Sequence, residues 1–324
     1  MDLQQKTRRF GAWVILCSLI LRLYTSGAVD FAVTILSKPN IAQLLIYLET
    51  GRKVRFSLPS AQLHQRESPA PWVKPQEIPR FTPEDGEKIA LYYDCDLRPD
   101  LPRLTAKPLQ WYLPLPEPTV LILHTHTTEG YTGDYEPSSP YRTLDEKSNM
   151  LCIGDRVAEV LAQYGIAVIH DRTVHDYPNY NGAYGSSRTA AQMYLKKYPS
   201  IQLILDLHRD ALEQNGKQLR TSATVNGQPS AQLMLVMGSN AGGLEHSAWE
   251  ENLSLGLKLQ TQLERTNPGI TRPMALRSQR FNQDLLPGAL LVEVGAAGNT
   301  REEALLAAEA LAQAIVSLSR GTQG

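Results

Sequence analysis

The stretch LILHTHTTEGY, Leu121 to Tyr131, ends an apolar run on two histidines, His124 and His126, and places a glutamate, Glu129, three residues after the second. Imidazoles and carboxylates at such spacing act as ligands to a divalent ion or as carriers of protons. Two other stretches share this character: LILDLHRD, which ends on His208, Arg209 and Asp210, and ALLVEVG, in which Glu293 stands between Val292 and Val294. Zinc hydrolases commonly hold their ion through two histidines and a carboxylate and leave a further position open for water. Two histidines from separate strands together with Glu129 would supply that set, and a carboxylate such as Glu293 would take a proton from water and return it to a leaving amine. Strand geometry puts His124 and His126 on one face about 6 to 7 Å apart, so one of them is expected to stand beside the ion rather than on it. A carboxylate in an apolar strand is costly unless it lies at the strand mouth or has a partner, which gives Glu293 a functional rather than a filling role.

These residues need elements to position them. TVLILH, AVIH, IQLILDLH, AQLMLVMG and GALLVEVG are short apolar runs of the kind that become buried strands. Between them lie helical patterns: SNMLCIGDRVAEVLAQYG with Gly165 as its stop, RTAAQMYLKKYP ended by Pro199, SAWEENLSLGLKLQTQLER, and TREEALLAAEALAQAIVSLS with Thr300 as cap and Glu302 and Glu303 at its positive end. Strand and helix in alternation predict an α/β fold, a three-layer sheet with helices on both faces. Ligands collect at the C-terminal ends of strands in such sheets, and HTHTTE, DLHRD and LVEVG all fall at predicted strand ends. The loop VIHDRTVHDYPNYNGAYGSSR mixes aromatic and amide groups suited to a glycan or peptide, with Asn181 a candidate contact, and Asn282 in RSQRFNQDLLPGAL is another. Arg209 is read either as a substrate contact or as half of a surface ion pair with Asp210. His64, His170, His175 and His246 are expected to be ordinary satisfied side chains, and Cys152 a small core residue.

The N-terminus sets Lys6, Arg8 and Arg9 before an apolar segment, Ala12 to Leu21, the arrangement of an export signal whose basic end stays cytoplasmic. Residues 1–27 are therefore expected to be a membrane anchor or signal segment, with an uncleaved single-pass anchor favoured and the catalytic domain outside the cytoplasm. Prolines recur through residues 28–79, which reads as an extended linker; 80–118 reads as a small appendage and 119–324 as the catalytic domain. Thirty-two basic residues against 33 acidic ones leave a net charge of −1, which excludes nucleic acid as a default partner. The chain has 3 cysteines, with neither metal-knuckle nor disulfide-framework spacing.

Taken in order, HTHTTEGY, VIHDRTVHDYPNYNGAYGSSR, LILDLHRDA and QRFNQDLLPGALLVEVGAAGNT closely resemble the catalytic region of the stage II sporulation protein P family, from about Pro118 to the end. The resemblance implies an amidase-like α/β fold and a zinc-dependent N-acetylmuramoyl-L-alanine amidase acting on peptidoglycan during forespore engulfment. Endopeptidase cleavage of the stem peptide is the alternative activity, and a non-catalytic wall-binding module the alternative class. It also implies stage II sporulation proteins D and M as partners. Carried onto this sequence, it makes His126, Glu129 and His208 the ligands to Zn2+ and Glu293 the catalytic carboxylate, and it leaves His124 beside the ion. Related autolysin amidases place a ligand glutamate in an EK pair opening the first helix, so Glu146 of DEKSNM is the rival to Glu129.

Overall fold

The computed structural model describes residues 61–64, 79–114, 116–132 and 141–322. The expected anchor over 1–27 and most of the expected linker lie outside these residues. Pro59–Gly324 forms one compact unit. No helix among the described residues is long and apolar enough to cross a membrane.

Eight strands make the main sheet: β1 (Ala61–His64), β2 (Leu91–Asp94), β3 (Val120–Leu123), β4 (Val168–Asp171), β5 (Leu203–Asp210), β6 (Leu233–Met237), β7 (Met274–Arg277) and β8 (Ala289–Ala296). Their order is β1-β4-β3-β5-β8-β6-β7-β2. β4, β3, β5 and β8 run parallel, so the segments after β3, β5 and β8 emerge at one end of the sheet. The direction reverses between β8 and β6, and β7 and β2 continue parallel to β6.

The helices are α1 (Pro83–Glu87), α2 (Leu101–Ala106), α3 (Met150–Gln163), α4 (Ala183–Lys197), α5 (Trp249–Thr266) and α6 (Arg301–Leu318). The α3 sequence puts Met150, Ile153, Val157 and Leu161 on one stripe, and all are buried in the larger core with Val120, Leu205 and Val292. Asn149 caps α3 by accepting from the Leu151 N–H, and Gly165 stops it with φ 80°. Thr300 and Glu303 form a capping box on α6. α5 and α6 share this face, whereas α4 covers the other through Ala190, Ala191 and Tyr194 against Leu121, Ile169 and Ile204. The three-layer α/β architecture is thus the expected one.

Two boundaries differ from the sequence reading. Within the stretch read as linker, Ala61–His64 pairs antiparallel with β4 as an edge strand. The stretch read as an appendage contributes β2, which pairs parallel with β7 from Met274↔Leu91 to Arg277↔Asp94 and closes the opposite edge. Both strands pair with partners more than a hundred residues away, so no local pattern reveals their place.

Candidate metal centre and active site

Parallel pairing of β5 and β8 makes His208 and Glu293 direct neighbours in register. Just beyond them the register shifts at a bulge, where Gly295 has φ 73° and a Cβ would come within 2.8 Å of the Ala231 side chain. The glycine of EVG is therefore required by the backbone, and the bulge shifts the register immediately past the carboxylate before pairing resumes at Ala296↔Asp210. His126 and Glu129 arrive from the turn after β3, and all four side chains line one cleft of about 690 Å³. Its floor is the α4 side of β8, β6, β7 and β2 beyond the stretch that α4 covers, with Met234, Ala275 and Tyr92 along it.

Glu129 is held from several sides. The Arg209 backbone N–H donates to its Oε2 at 3.1 Å, and the Arg142 guanidinium lies 3.3 Å from Oε1. The His208 Nδ1 lies 3.4 Å from Oε2, and on its far side His208 Nε2 sits 3.0 Å from Asp206 Oδ1, an ion-pair contact rather than an aligned hydrogen bond. Burial opposes charge on this imidazole, yet the Asp206 and Glu129 carboxylates together raise its pKa well above the ordinary value. Burial likewise opposes charge on Glu129, but His208 and Arg209 outweigh it and hold the carboxyl at about 2. Asp206 is itself fixed by the Thr125 N–H and hydroxyl at 2.8 and 2.6 Å.

His126 stacks on Tyr180 with ring centroids 4.6 Å apart and meets His208 edge-on at 5.3 Å. Its Nδ1 is buried without a hydrogen-bond partner, and so is Glu293 Oε2. Burial, reinforced by the Glu129 charge, pushes the Glu293 carboxyl up to about 8. Buried orphan atoms of this kind are rare and mark a missing partner. Two imidazoles and a carboxylate with an orphaned nitrogen fit a zinc-class ion, although His126, Glu129 and His208 do not bring all their ligand atoms within 4.8 Å of one another.

The other sequence candidates fall elsewhere. His124 donates from Nδ1 to the Leu207 carbonyl at 3.0 Å, beside the site but facing away from it. Glu146 pairs with Arg172 at 2.8 Å and its side chain is 61% exposed, away from the cleft lining. Arg209 lines the cleft and donates to the Gly130 and Tyr141 carbonyls, which holds the Glu129 loop; it does not pair with Asp210. Asp210 instead pairs with Arg272 at 2.8 Å. Asn282 gives its amide to the Tyr184 carbonyl and Ser187, which braces Tyr184 at the cleft wall; Asn181 is exposed outside the cleft lining. Sequence reasoning passed over Arg142 and Asp176, which are paired at 2.6 Å and tie the Thr128 turn to the Tyr180 loop. Nothing in the spacing of loop residues announces such a pair.

Residues 105–316 match the family model described as Stage II sporulation protein P. Stage II sporulation protein P of Bacillus subtilis (strain 168) is 29% identical over 208 residues, 60% of this chain and 49% of that protein. The chain thus spans about half the length of the curated relative it matches. Among solved structures, the N-acetylmuramoyl-L-alanine amidase AmiC2 of Nostoc punctiforme aligns at TM-score 0.37 and 14% identity, covering 61% of this chain and 94% of that one. The N-acetylmuramoyl-L-alanine amidase from Clostridium difficile 630 aligns at TM-score 0.35 and 14% identity, covering 62% and 96%.

Proposed function

The chain belongs to the stage II sporulation protein P family, and from that premise we propose that it is a peptidoglycan hydrolase cleaving the amide bond between N-acetylmuramic acid and L-alanine. The observation that carries this reading is the register pairing of His208 with Glu293 at the mouth of a cleft that His126 and Glu129 also line. His126, Glu129 and His208 would hold a zinc ion, which when bound polarises a carbonyl and acidifies water.

In this reading Glu293 accepts a proton from water in the cleft and returns it to the leaving amine. Burial raises its carboxyl above the ordinary carboxylate range, toward the pH at which one group can both take and return a proton. Arg142 and the Arg209 N–H fix Glu129, and Asp206 fixes the His208 ring, so the donor atoms are held before substrate arrives. Tyr92, Tyr184 and Phe281 beside Asp94 and Arg277 give the cleft the mixed aromatic and charged lining that suits a sugar–peptide junction. The same proposal places the domain outside the cytoplasm behind a membrane anchor, on the strength of the basic and apolar N-terminal pattern. Stage II sporulation proteins D and M remain the expected partners on the family resemblance.

Mass spectrometry of fragments released from purified sacculi tests the reading: a free lactyl carboxyl and a free alanine amine identify the amide bond, whereas new termini within the stem peptide would replace the amidase with an endopeptidase. Glu293→Gln is expected to lower turnover by about 10²-fold or more with zinc content unchanged. Full activity in metal-depleted protein would overturn the zinc assignment.

A further inference from the structure

We propose that His64, Asp155 and His170 form a second site for a zinc-class divalent cation, at the β1 edge of the sheet. The ligand atoms of these residues all lie within 4.8 Å of one another. His170 Nδ1 is 3.0 Å and His64 Nε2 3.9 Å from Asp155 Oδ1. Bond lengths near 2 Å in a tetrahedral zinc site put ligand atoms about 3.3 Å apart, so small shifts of an edge-strand side chain complete the geometry.

Donor bookkeeping favours a cation at this point. The Leu207 carbonyl can only accept, so His124 donates from Nδ1 and its Nε2 is left as an acceptor. The Nε2 atoms of His124 and His170 are 2.9 Å apart, so His170 donates from Nε2. A neutral His170 ring then turns the lone pair of Nδ1 toward the Asp155 carboxylate at 3.0 Å, acceptor against acceptor. A second ring proton or a metal ion resolves the conflict, and the metal, taking Nδ1 and the carboxylate as ligands, also gives His64 Nε2 its missing partner. His64 Nε2, buried without a hydrogen-bond partner, points into the same space. Arg172 also donates to Asp155 Oδ1 at 2.5 Å and would share that carboxylate with the ion.

The imidazole pair rests directly on the α3 backbone. A Cβ at Gly154 would fall 2.4 Å from His170 Nε2 and 2.6 Å from His124 Nε2, so the site needs a glycine there. An ion so placed would staple β1 to β4 and α3. It would also anchor the imidazole chain that ends on the carbonyl preceding His208.

The test is a titration of the full-length chain with Co2+, read by visible absorption, together with zinc per chain after equilibration. Two ions per chain are expected, falling to one in His64→Gln and in Asp155→Asn, and falling to the other one in His208→Ala. Metal content unchanged in both His64→Gln and Asp155→Asn overturns the second site. A single ion removed only by His208→Ala also overturns it and leaves the catalytic site standing. A single ion removed only by His64→Gln and Asp155→Asn does the reverse.

Discussion

At the scale of single residues, the choice between Glu129 and Glu146 is the sharpest. Glu129 is buried against His208 and Arg209, while Glu146 is a solvent-facing partner of Arg172. Glu146→Gln is expected to leave zinc content and turnover within about twofold, because exposed pairs contribute little, and Glu129→Gln to lose both; isotope-dilution metal analysis beside a sacculus assay decides it. Lys258 offers a pH test away from the cleft. It is buried, its ammonium donates to the Leu104 carbonyl at 3.0 Å and to Ser254 Oγ at 2.7 Å, and burial brings its pKa from 10.5 down to about 8. The unfolded chain therefore holds more protons than the folded one between about pH 8 and 10.5. Stability from this group should accordingly rise with pH across that window, by at most about 1.4 kcal/mol per pH unit. Lys258→Met should flatten that slope in denaturant melts; an unchanged slope rejects the assignment. The site residues were legible where an apolar strand ends on a polar group, as at His126, His208 and Glu293. Arg142, Asp155 and Asp176 were not, because a charged residue in a loop or on a helix face looks the same whether it meets solvent or a partner.

At the scale of elements, α3 joins packing to chemistry. Its apolar stripe fills the core, while Gly154 lets two imidazoles lie against the helix backbone. Propensity alone favours alanine at a helical glycine by about 1 kcal/mol. Forcing a methyl into the imidazole pair costs about 1–3 kcal/mol, so Gly154→Ala is expected to be net destabilising in urea unfolding. A gain in stability would show that the histidines move aside freely. The helices and central strands could be read from periodicity and caps, as Thr300 and Gly165 illustrate. The reversal of direction between β8 and β6 could not, since both strands are simply apolar runs and pairing partners are a tertiary choice.

At the scale of the whole molecule, the edges matter most. β1 covers β4 through Ala61↔Asp171 to His64↔Val168, and without it the β4 backbone would present unpaired groups. A fragment of residues 59–324 is expected to stay dispersed on concentration, whereas one of residues 80–324 should melt lower and self-associate; light scattering on both settles whether the edge strand protects the sheet. The boundary read at residue 80 would have removed it, because proline-rich sequence around a four-residue strand masks its extended pairing.

The sheet face left bare beyond α4 also has a directional consequence. From Glu293 on β8 to Tyr92 on β2 the floor crosses three inter-strand steps, about 14 Å. The proposed catalytic groups stand at one terminus of this trough instead of at its midpoint. A polymer lying in it would be gripped along one flank and nearly free on the other, so the scissile linkage would be chosen by what lies to one side of it.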